Sequence, residues 1–179
     1  FTGEHFTITG HEGWPKPVQR PHPPLFIGAG GRRVLTLAAR QAQIVGLAPR
    51  LLPGDQREPR PEPRSFTLAA TAEKVGWIRQ AAGDRFDELE LNTYTSGGPA
   101  VITDSARAEA QRRADRLRQA SGGLEITADE VLESPHVFIG SLDALTEKVV
   151  GLRERFGISS FMTGDIDELA PLVERLAGR

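Results

Sequence analysis

The chain has 179 residues, of which 39% are hydrophobic and 26% are charged. This size and composition predict one globular domain with a sizeable core. The formal net charge of −2 predicts no attraction to nucleic acid or to an anionic membrane surface. No apolar run is long enough for a membrane span, no signal-peptide pattern is present, and the lack of cysteine excludes disulfides and thiolate metal sites. We therefore expect a soluble, cytoplasmic protein.

The first 24 residues predict an extended lead-in to the fold. Residues 2–9 alternate as a short strand or hairpin would, with a turn at Gly3. Residues 10–24 contain five of the thirteen prolines, which favour an extended connector over a helix. Because the first residue is phenylalanine and the opening is already strand-like, we expect that further sequence precedes it.

A strand–turn–helix–strand pattern follows in PPLFIGAGGRRVLTLAARQAQIVGLAP, residues 23–49. A short buried strand is predicted over residues 25–27, a glycine turn over 28–31, and a helix over 32–41. The next strand is predicted over residues 43–47 and ends at Pro49. This order of elements is one that often binds a phosphate group.

The central part of the chain mixes loops with helices. Residues 50–64 are rich in proline and charge and predict a flexible loop or a lid. A helix is predicted from Ser65, as its N-cap, to residue 82, and a strand over residues 88–94. Residues 103–121 predict a polar helix whose arginines form an exposed face more readily than a phosphate site (Arg107, Arg112, Arg116 and Arg118).

The C-terminal part carries the clearest helix signals. A short helix capped by Thr127 is predicted to residue 133, and a longer one begins after Ser141 and ends at Gly157. A strand is predicted over residues 158–162. The last helix begins at Asp165 or Asp167, with its apolar side chains facing inward (Ile166, Leu169, Leu172, Val173 and Leu176). Repeated alternation of strand and helix predicts a parallel sheet covered by helices.

The glycine turn has three interpretations. It is a plain tight connection, a dinucleotide fingerprint, or a phosphate cradle of another α/β fold. The fingerprint G-x-G-x-x-G fits poorly, because its third glycine falls at Arg33 and no acid ends the next strand. Consecutive glycines expose backbone N–H groups, and the following helix adds the positive end of its dipole. Arg32 and Arg33 add charge near the turn, although a solvated arginine is the more common outcome.

The sequence resembles the luciferase-like monooxygenase family, particularly its branch that uses the deazaflavin F420. Three stretches carry the resemblance: FTGEHFTI with PKPVQRPHPP, LFIGAGG with RRVLTLAAR and QIVGL, and IGSLDALTEKVVGLRERFGISSFMTG. It runs from Phe1 to the last helix and weakens over residues 50–64 and 95–134. The resemblance implies a (β/α)8 barrel of about 250 residues, of which residues 1–179 supply the C-terminal half, strands five to eight.

The resemblance also implies where ligands bind. The turn after the fifth strand meets the cofactor phosphate, which assigns Gly28, Ala29, Gly30 and Gly31 as backbone donors. Residues 47–49 are expected to form a wall beside the cofactor ring, with Ala48 in the substrate pocket. The substrate is expected to contact His5, Asn92 and Thr163. The acid or base that moves protons belongs to the other half of the barrel, so no catalytic residue is assigned.

Two cofactors and three functions follow from these patterns. The first is an F420-dependent oxidoreductase that transfers a hydride to or from a small organic substrate. The second is an FMN-dependent monooxygenase, because both cofactors present a phosphate to the turn. The third is a non-catalytic half-barrel binding module. A homodimer is expected for the full-length enzyme. The four histidines (His5, His11, His22 and His136) have no metal-site spacing and are expected at the surface.

Overall fold

Four parallel strands form the main sheet in a computed structural model, which describes residues 1–53, 60, 62–164 and 166–178. The sheet order is β1-β2-β3-β6. These strands are β1 (Phe26–Ala29), β2 (Ile44–Leu47), β3 (Glu90–Tyr94) and β6 (Ile158–Met162). A second, two-stranded parallel sheet pairs β4 (Val101–Ile102) with β5 (Ile139–Gly140). The predicted parallel sheet is therefore confirmed, and the small second sheet is one that the sequence pattern did not indicate.

Six α-helices connect these strands in the described part of the chain. They are α1 (Arg32–Gln41), α2 (Leu68–Ala82), α3 (Ala106–Ala120), α4 (Ala128–Glu133), α5 (Leu142–Phe156) and α6 (Ile166–Leu176). Short 3-10 helices precede α2 and β3, at Pro63–Phe66 and Gly83–Glu88. No helix in the described residues is both long enough and apolar enough to cross a membrane.

Local capping explains several helix ends. The Thr127 hydroxyl accepts from the Glu130 amide while the Glu130 carboxylate accepts from the Thr127 amide, which is a complete capping box at the start of α4. Ser141 caps α5, and Gly157 ends it in the left-handed region at φ 75°. The expected N-cap of α2 was wrong: Thr67 caps that helix, because residues 63–66 form a 3-10 turn that places Ser65 ahead of it.

One face of the main sheet is covered by α1, α2 and α5. Alternate strand residues such as Val45, Leu47 and Leu91 point into this layer and are almost fully buried. They pack against Leu35 of α1, Ile78 of α2 and Leu152 of α5, together with the other members of one core cluster. This layer is the main hydrophobic core of the chain.

The opposite face of the main sheet is open. Residues paired across parallel strands lie side by side, so Tyr94 and Met162 share this face, as do the members of the row Gly28, Gly46, Asn92 and Ser160. Phe26, Tyr94 and Met162 are 46%, 38% and 52% exposed. The expected burial of residues 25–27 was therefore wrong for Leu25 and Phe26, because β1 is an edge strand with one uncovered side.

The segment between β3 and β6 builds its own core. Helices α3 and α4 pack with β4 and β5 around Ala110, Leu117, Val131 and Ile139. The polar helix is confirmed as α3, and its four exposed arginines pair with nearby carboxylates. Arg112 and Arg116 pair with Glu109, Arg107 with Asp129, and Arg118 with Glu125. Arg113 differs, since its side chain is buried and its Nη2 donates to the carbonyl of Pro99 at 3.0 Å.

The N-terminal segment is exposed, and the last helix is less buried than the sequence predicted. Residues 1–24 are exposed along their whole length, with one antiparallel bridge between Thr2 and Thr7. In α6, Leu169 and Leu172 pack inward as expected, but Ile166 and Val173 are exposed. The helix covers the core with a narrower stripe than its apolar residues suggested. Of the two expected start positions for this helix, Asp165 lies outside the described residues.

Candidate functional site

A cleft of about 440 Å³ lies where the carboxyl ends of β1, β2 and β3 meet. Its lining consists of Gly30, Gly31, Ala48, Pro49, Arg50, Leu51 and Tyr94. Ligands of parallel α/β folds bind at this end of the strands, because the loops that follow the strands converge there. The cleft is therefore the candidate functional site.

The glycine turn forms one wall of the cleft, and it is shorter than the sequence suggested. Gly28 and Ala29 lie inside β1 and pair with Gly46 and Leu47 of β2, so only Gly30 and Gly31 form the turn proper. The Ala29 carbonyl accepts from the amide of Ala48 at 3.0 Å, which extends the ladder to the rim of the cleft. The turn predicted over residues 28–31 is thus corrected to two residues.

The two turn positions differ in whether the structure requires glycine there. A Cβ atom on Gly30 would lie 2.7 Å from the carbonyl oxygen of Pro49 and 2.8 Å from the amide nitrogen of Arg50. Gly30 is therefore needed for the close approach of the β1–α1 and β2–α2 connections. A Cβ atom on Gly31 would meet nothing within 4 Å, so Gly31 faces open space at the cleft.

The start of α1 has unfilled hydrogen-bonding capacity. Gly31 occupies the N-cap position without a side chain to cap the helix, and the first turn contains no acidic residue. The first amide N–H groups of a helix lack partners within the helix and carry the positive end of its dipole. The β1–α1 turn therefore presents a site that favours an anion.

Among the described residues that line the cleft, Arg50 is the one cation, and it forms an ion pair. Its Nε lies 2.9 Å from a carboxylate oxygen of Glu62, and its side chain is half exposed. The backbones of the two residues also meet, since the Glu62 amide donates to the Arg50 carbonyl at 2.9 Å. The Leu52 amide donates to the Arg60 carbonyl at 2.8 Å, so the base of the segment over residues 50–64 is paired. Residues 54–59 and 61 of that predicted loop lie outside the described residues.

A buried lysine holds together the backbone segments next to the Arg50–Glu62 ion pair. Lys74 Nζ donates to the Ala48 carbonyl at 2.7 Å and to both the carbonyl and the hydroxyl of Ser65 at 3.0 Å. The Ser65 hydroxyl in turn accepts from the Arg50 amide at 2.7 Å. Burial, together with the nearby charge of Arg50, lowers the pKa of Lys74 to about 8. The amine ties the end of β2 to the start of α2 and is itself enclosed.

An aromatic stack supports the other side of the cleft. The Tyr94 ring packs edge-on against the His136 ring, with the ring centroids 6.4 Å apart. The Phe66 ring also packs edge-on against His136, at a centroid distance of 6.0 Å. His136 Nδ1 lies 3.0 Å from the Thr93 hydroxyl. Desolvation by burial, with a smaller contribution from Lys74, lowers the pKa of His136 to about 3. His136 is therefore neutral and positions Tyr94.

The expected surface position of His136 was wrong. His5, His11 and His22 are exposed, whereas His136 is fully buried within residues 134–140, all of which are buried. The uninterrupted apolar stretch after Ser134 and Pro135 was the sequence signal that this segment crosses the interior. Across the described residues, no group of three or more histidine, aspartate or glutamate side chains forms a potential metal site.

The remaining predicted pocket residues are only partly brought together. Ala48 and Pro49 line the cleft, but the Leu47 side chain is buried in the helix-covered core. Asn92 is buried in the middle of β3 on the open face, and its Nδ2 donates to the Ser160 hydroxyl at 2.9 Å. Its Oδ1 is buried without a partner among the described residues. Thr163 follows β6, His5 is exposed in the N-terminal segment, and neither lines the cleft.

A larger cavity of about 770 Å³ lies elsewhere, between α3, α4 and α5. Its most distinctive residue is Lys148, whose Nζ donates to the carbonyls of Leu132 and Val137, each at 2.6 Å. Burial lowers the pKa of Lys148 to about 7. Because both hydrogen bonds hold the segment that carries His136, the amine has a structural role, and we place the functional site at the glycine turn.

No protein-family profile matches the chain, but solved structures share its fold at low sequence identity. An F420-dependent secondary alcohol dehydrogenase in complex with an F420-acetone adduct matches 98% of this chain and 53% of its own, with a TM-score of 0.60 and 16% identity. A long-chain alkane monooxygenase matches 97% of this chain and 43% of its own, with a TM-score of 0.53 and 15% identity. A riboflavin lyase with modified FMN and riboflavin matches 87% of this chain and 43% of its own, with a TM-score of 0.50 and 14% identity.

These likenesses concern the fold. The α/β architecture with a parallel sheet is shared with the alcohol dehydrogenase, the alkane monooxygenase and the riboflavin lyase. The chain spans about half the length of the structures that it matches.

Proposed function

We propose that this chain is the C-terminal half of an F420-dependent oxidoreductase of the luciferase-like family, and that it holds the cofactor phosphate at the Gly30–Gly31 turn. The observation that carries the proposal is the uncapped N-terminus of α1 beside two glycines, at the carboxyl ends of the strands. The shared fold with an F420-dependent alcohol dehydrogenase supports it. Residues 1–179 would form one half-barrel domain.

The residues present suit a phosphate more than they suit a reaction centre. The bound deazaflavin would supply a hydride for transfer to or from a small organic substrate. Gly30 and Gly31 would bring the backbone close to the phosphate, and the amides at the start of α1 would donate to it. Ala48, Pro49 and Tyr94 would bound the cleft beside it. Gly28 and Ala29 would contribute only through the strand that positions the turn.

The other half of the barrel is part of the same proposal. Parallel sheets are normally covered on both faces, whereas the face with Phe26, Tyr94 and Met162 is open. Neither β1 nor β6 has a second neighbour among the described strands. Four further strand–helix units would pair with both edges and enclose this face, as in an eight-stranded barrel. Substrate contacts from Asn92, Thr163 and His5, and a homodimer of the complete enzyme, stay predictions.

FMN is the alternative cofactor, because it also carries a phosphate and because the riboflavin lyase with modified FMN shares this fold. In that case the complete protein would be an FMN-dependent monooxygenase. Direct competition separates the two cofactors: F420 should displace FMN from the complete protein if the first proposal holds, and the reverse order of affinity would favour the monooxygenase.

The phosphate site is tested by comparing FMN with riboflavin, which lacks the phosphate. We expect binding to the 179-residue chain to be weaker than micromolar, because the ring contacts belong largely to the other half. Phosphorus NMR detects such weak binding through broadening of the FMN signal. Equal affinity for FMN and riboflavin would remove the turn from the site.

A non-catalytic binding module is the second candidate. Among the described residues that line the cleft, only Arg50 and Tyr94 carry ionisable side chains, and neither is a histidine or a carboxylate, the side chains that most often act as general bases. A stable, monomeric 179-residue chain that binds phosphate without hydride transfer, even after addition of the complementary half, would favour this candidate.

A further inference from the structure

We propose that Arg50 is the side-chain ligand of the anion bound at the Gly30–Gly31 turn, and that Glu62 competes with this anion for the Arg50 guanidinium. The inference rests on the phosphate site of the proposed function. It adds a specific cation and an internal competitor to a site otherwise made of backbone groups. Arg50 therefore sets the selectivity for anions, and Glu62 sets the affinity.

The backbone of Arg50 cannot move away from the turn. Its amide nitrogen lies 2.8 Å from the place where a Gly30 Cβ would be, and it donates to the Ser65 hydroxyl at 2.7 Å. Its carbonyl accepts from the Glu62 amide at 2.9 Å. The side chain, in contrast, is half exposed, and Arg50 is among the residues that line the cleft with Gly30 and Gly31. A fixed backbone and a half-exposed side chain with one exchangeable partner suit an exchange of partners.

Glu62 occupies the position that a ligand anion would take. Its carboxylate oxygen pairs with Arg50 Nε at 2.9 Å, and its side chain is less exposed than that of Arg50. A guanidinium binds carboxylate and phosphate oxygens with the same planar set of donors. An arriving phosphate can therefore replace Glu62 without any change in the geometry of Arg50.

The enclosed Lys74 makes an uncompensated departure of Glu62 unfavourable. The charges of Lys74 and Arg50 repel each other, since Arg50 contributes to the lowered pKa of Lys74, whereas Glu62 acts in the opposite direction. Loss of Glu62 alone would leave two neighbouring cations. A phosphate with up to two negative charges would restore the balance, and a neutral ligand would not.

The test is a titration of the 179-residue chain with inorganic phosphate and with FMN, followed by phosphorus NMR at low ionic strength. Arg50→Ala should weaken binding of both probes by roughly tenfold or more, and Arg50→Lys by less. Glu62→Gln should tighten binding by about two- to fivefold, because it removes the competitor and keeps the shape. Raising the salt concentration should reduce both effects.

A matched ion pair in the same part of the chain serves as the control. Arg64 Nη1 lies 3.1 Å from Glu130, and both side chains are partly exposed, as in the Arg50–Glu62 pair. Arg64→Ala and Glu130→Gln should leave both affinities unchanged. Circular dichroism at each titration condition checks that every variant is folded.

The outcomes separate this inference from the proposed function. Wild-type affinity in Arg50→Ala, or weaker binding in Glu62→Gln, would overturn the exchange. Arg50-dependent binding of inorganic phosphate, in a chain that does not prefer FMN to riboflavin, would retain the exchange and overturn the cofactor assignment. A preference for FMN over riboflavin that does not change in Arg50→Ala would retain the cofactor assignment and overturn the exchange.

Discussion

The two faces of the main sheet are built from the same strands and have opposite environments. On the covered face, Val45, Leu47 and Leu91 are buried against three helices. On the open face, Phe26, Tyr94 and Met162 keep more than a third of their surface exposed. Alternation along each strand places apolar residues on both faces. The covered face contains the main hydrophobic core of this chain, whereas the open face leaves large apolar side chains exposed.

The largest expected difference between the faces is in stability. Leu91→Ala removes a fully buried side chain from the covered face and should lower the free energy of unfolding by about 2–5 kcal/mol. Met162→Ala, on the open face, should change it by about 0.5 kcal/mol or less. Urea unfolding of both variants gives the comparison. An equal loss in the two variants would show that the open face is already packed in the isolated chain.

Acid should destabilise the chain through the buried His136. Its pKa is lowered from 6.5 to about 3 in the folded chain, so the unfolded chain binds a proton first as the pH falls. The contribution of His136 to the free energy of unfolding is therefore fully present above about pH 6.5. It decreases as the pH falls toward 3, by at most about 1.4 kcal/mol per pH unit. His136→Gln should unfold with a flatter pH dependence over this range. A slope identical to that of the wild type would contradict the burial of His136.

The glycine turn at the rim offers a matched pair of substitutions. Gly30→Ala places a methyl group against the backbone of Pro49 and Arg50, and should destabilise the fold by about 1–3 kcal/mol. Gly31→Ala meets open space at φ −109°, and should change stability by about 0.5 kcal/mol or less. Thermal unfolding distinguishes the two variants. Weaker binding of FMN by the stable Gly31→Ala variant would then report on the binding site itself. In Gly30 variants, a loss of binding could not be separated from a loss of stability.

The smallest expected effect concerns the buried pair on the open face. Asn92→Leu removes an amide whose Oδ1 has no partner among the described residues, and keeps a similar volume. Because it replaces an unsatisfied polar atom, the change should alter the free energy of unfolding by only about 1 kcal/mol or less. In the complete protein the same variant should weaken substrate binding if Asn92 reaches the pocket. Ser160→Ala is the matched control for loss of the hydrogen bond alone.

Prediction from the sequence succeeded where the determinants are local. The capping box at Thr127 and Glu130, the N-cap at Ser141 and the C-terminal Gly157 each depend on hydrogen bonds or dihedral angles within a few residues. The order of strand, turn, helix and strand around the Gly30–Gly31 turn was also readable for this reason. The exact turn was not, because Gly28 and Ala29 enter β1 through their pairing with β2.

The candidate site was predicted only in part. Gly30 and Gly31 were assigned through the family resemblance, and Ala48 and Pro49 through their position after the next strand; all four line one cleft. Arg50, Tyr94 and the supporting Lys74 were missed. Lys74 looks like an ordinary helix lysine, and only the return of residues 62–66 over the end of β2 encloses its amine. Such an enclosure depends on segments 26 and 9 residues away, and no local pattern records it.

The sequence by itself therefore determined the order of the four main strands and the six helices, most helix ends and the parallel character of the main sheet. These follow from periodicity, capping and chain direction, which act over short distances. Only the tertiary structure decided which side chains are buried: His136, Arg113 and Lys74 are enclosed, whereas Phe26, Ile166 and Val173 are exposed. Burial depends on which residues of distant segments pack against each side chain, and on the open face of the sheet Phe26, Tyr94 and Met162 remain more than one-third exposed.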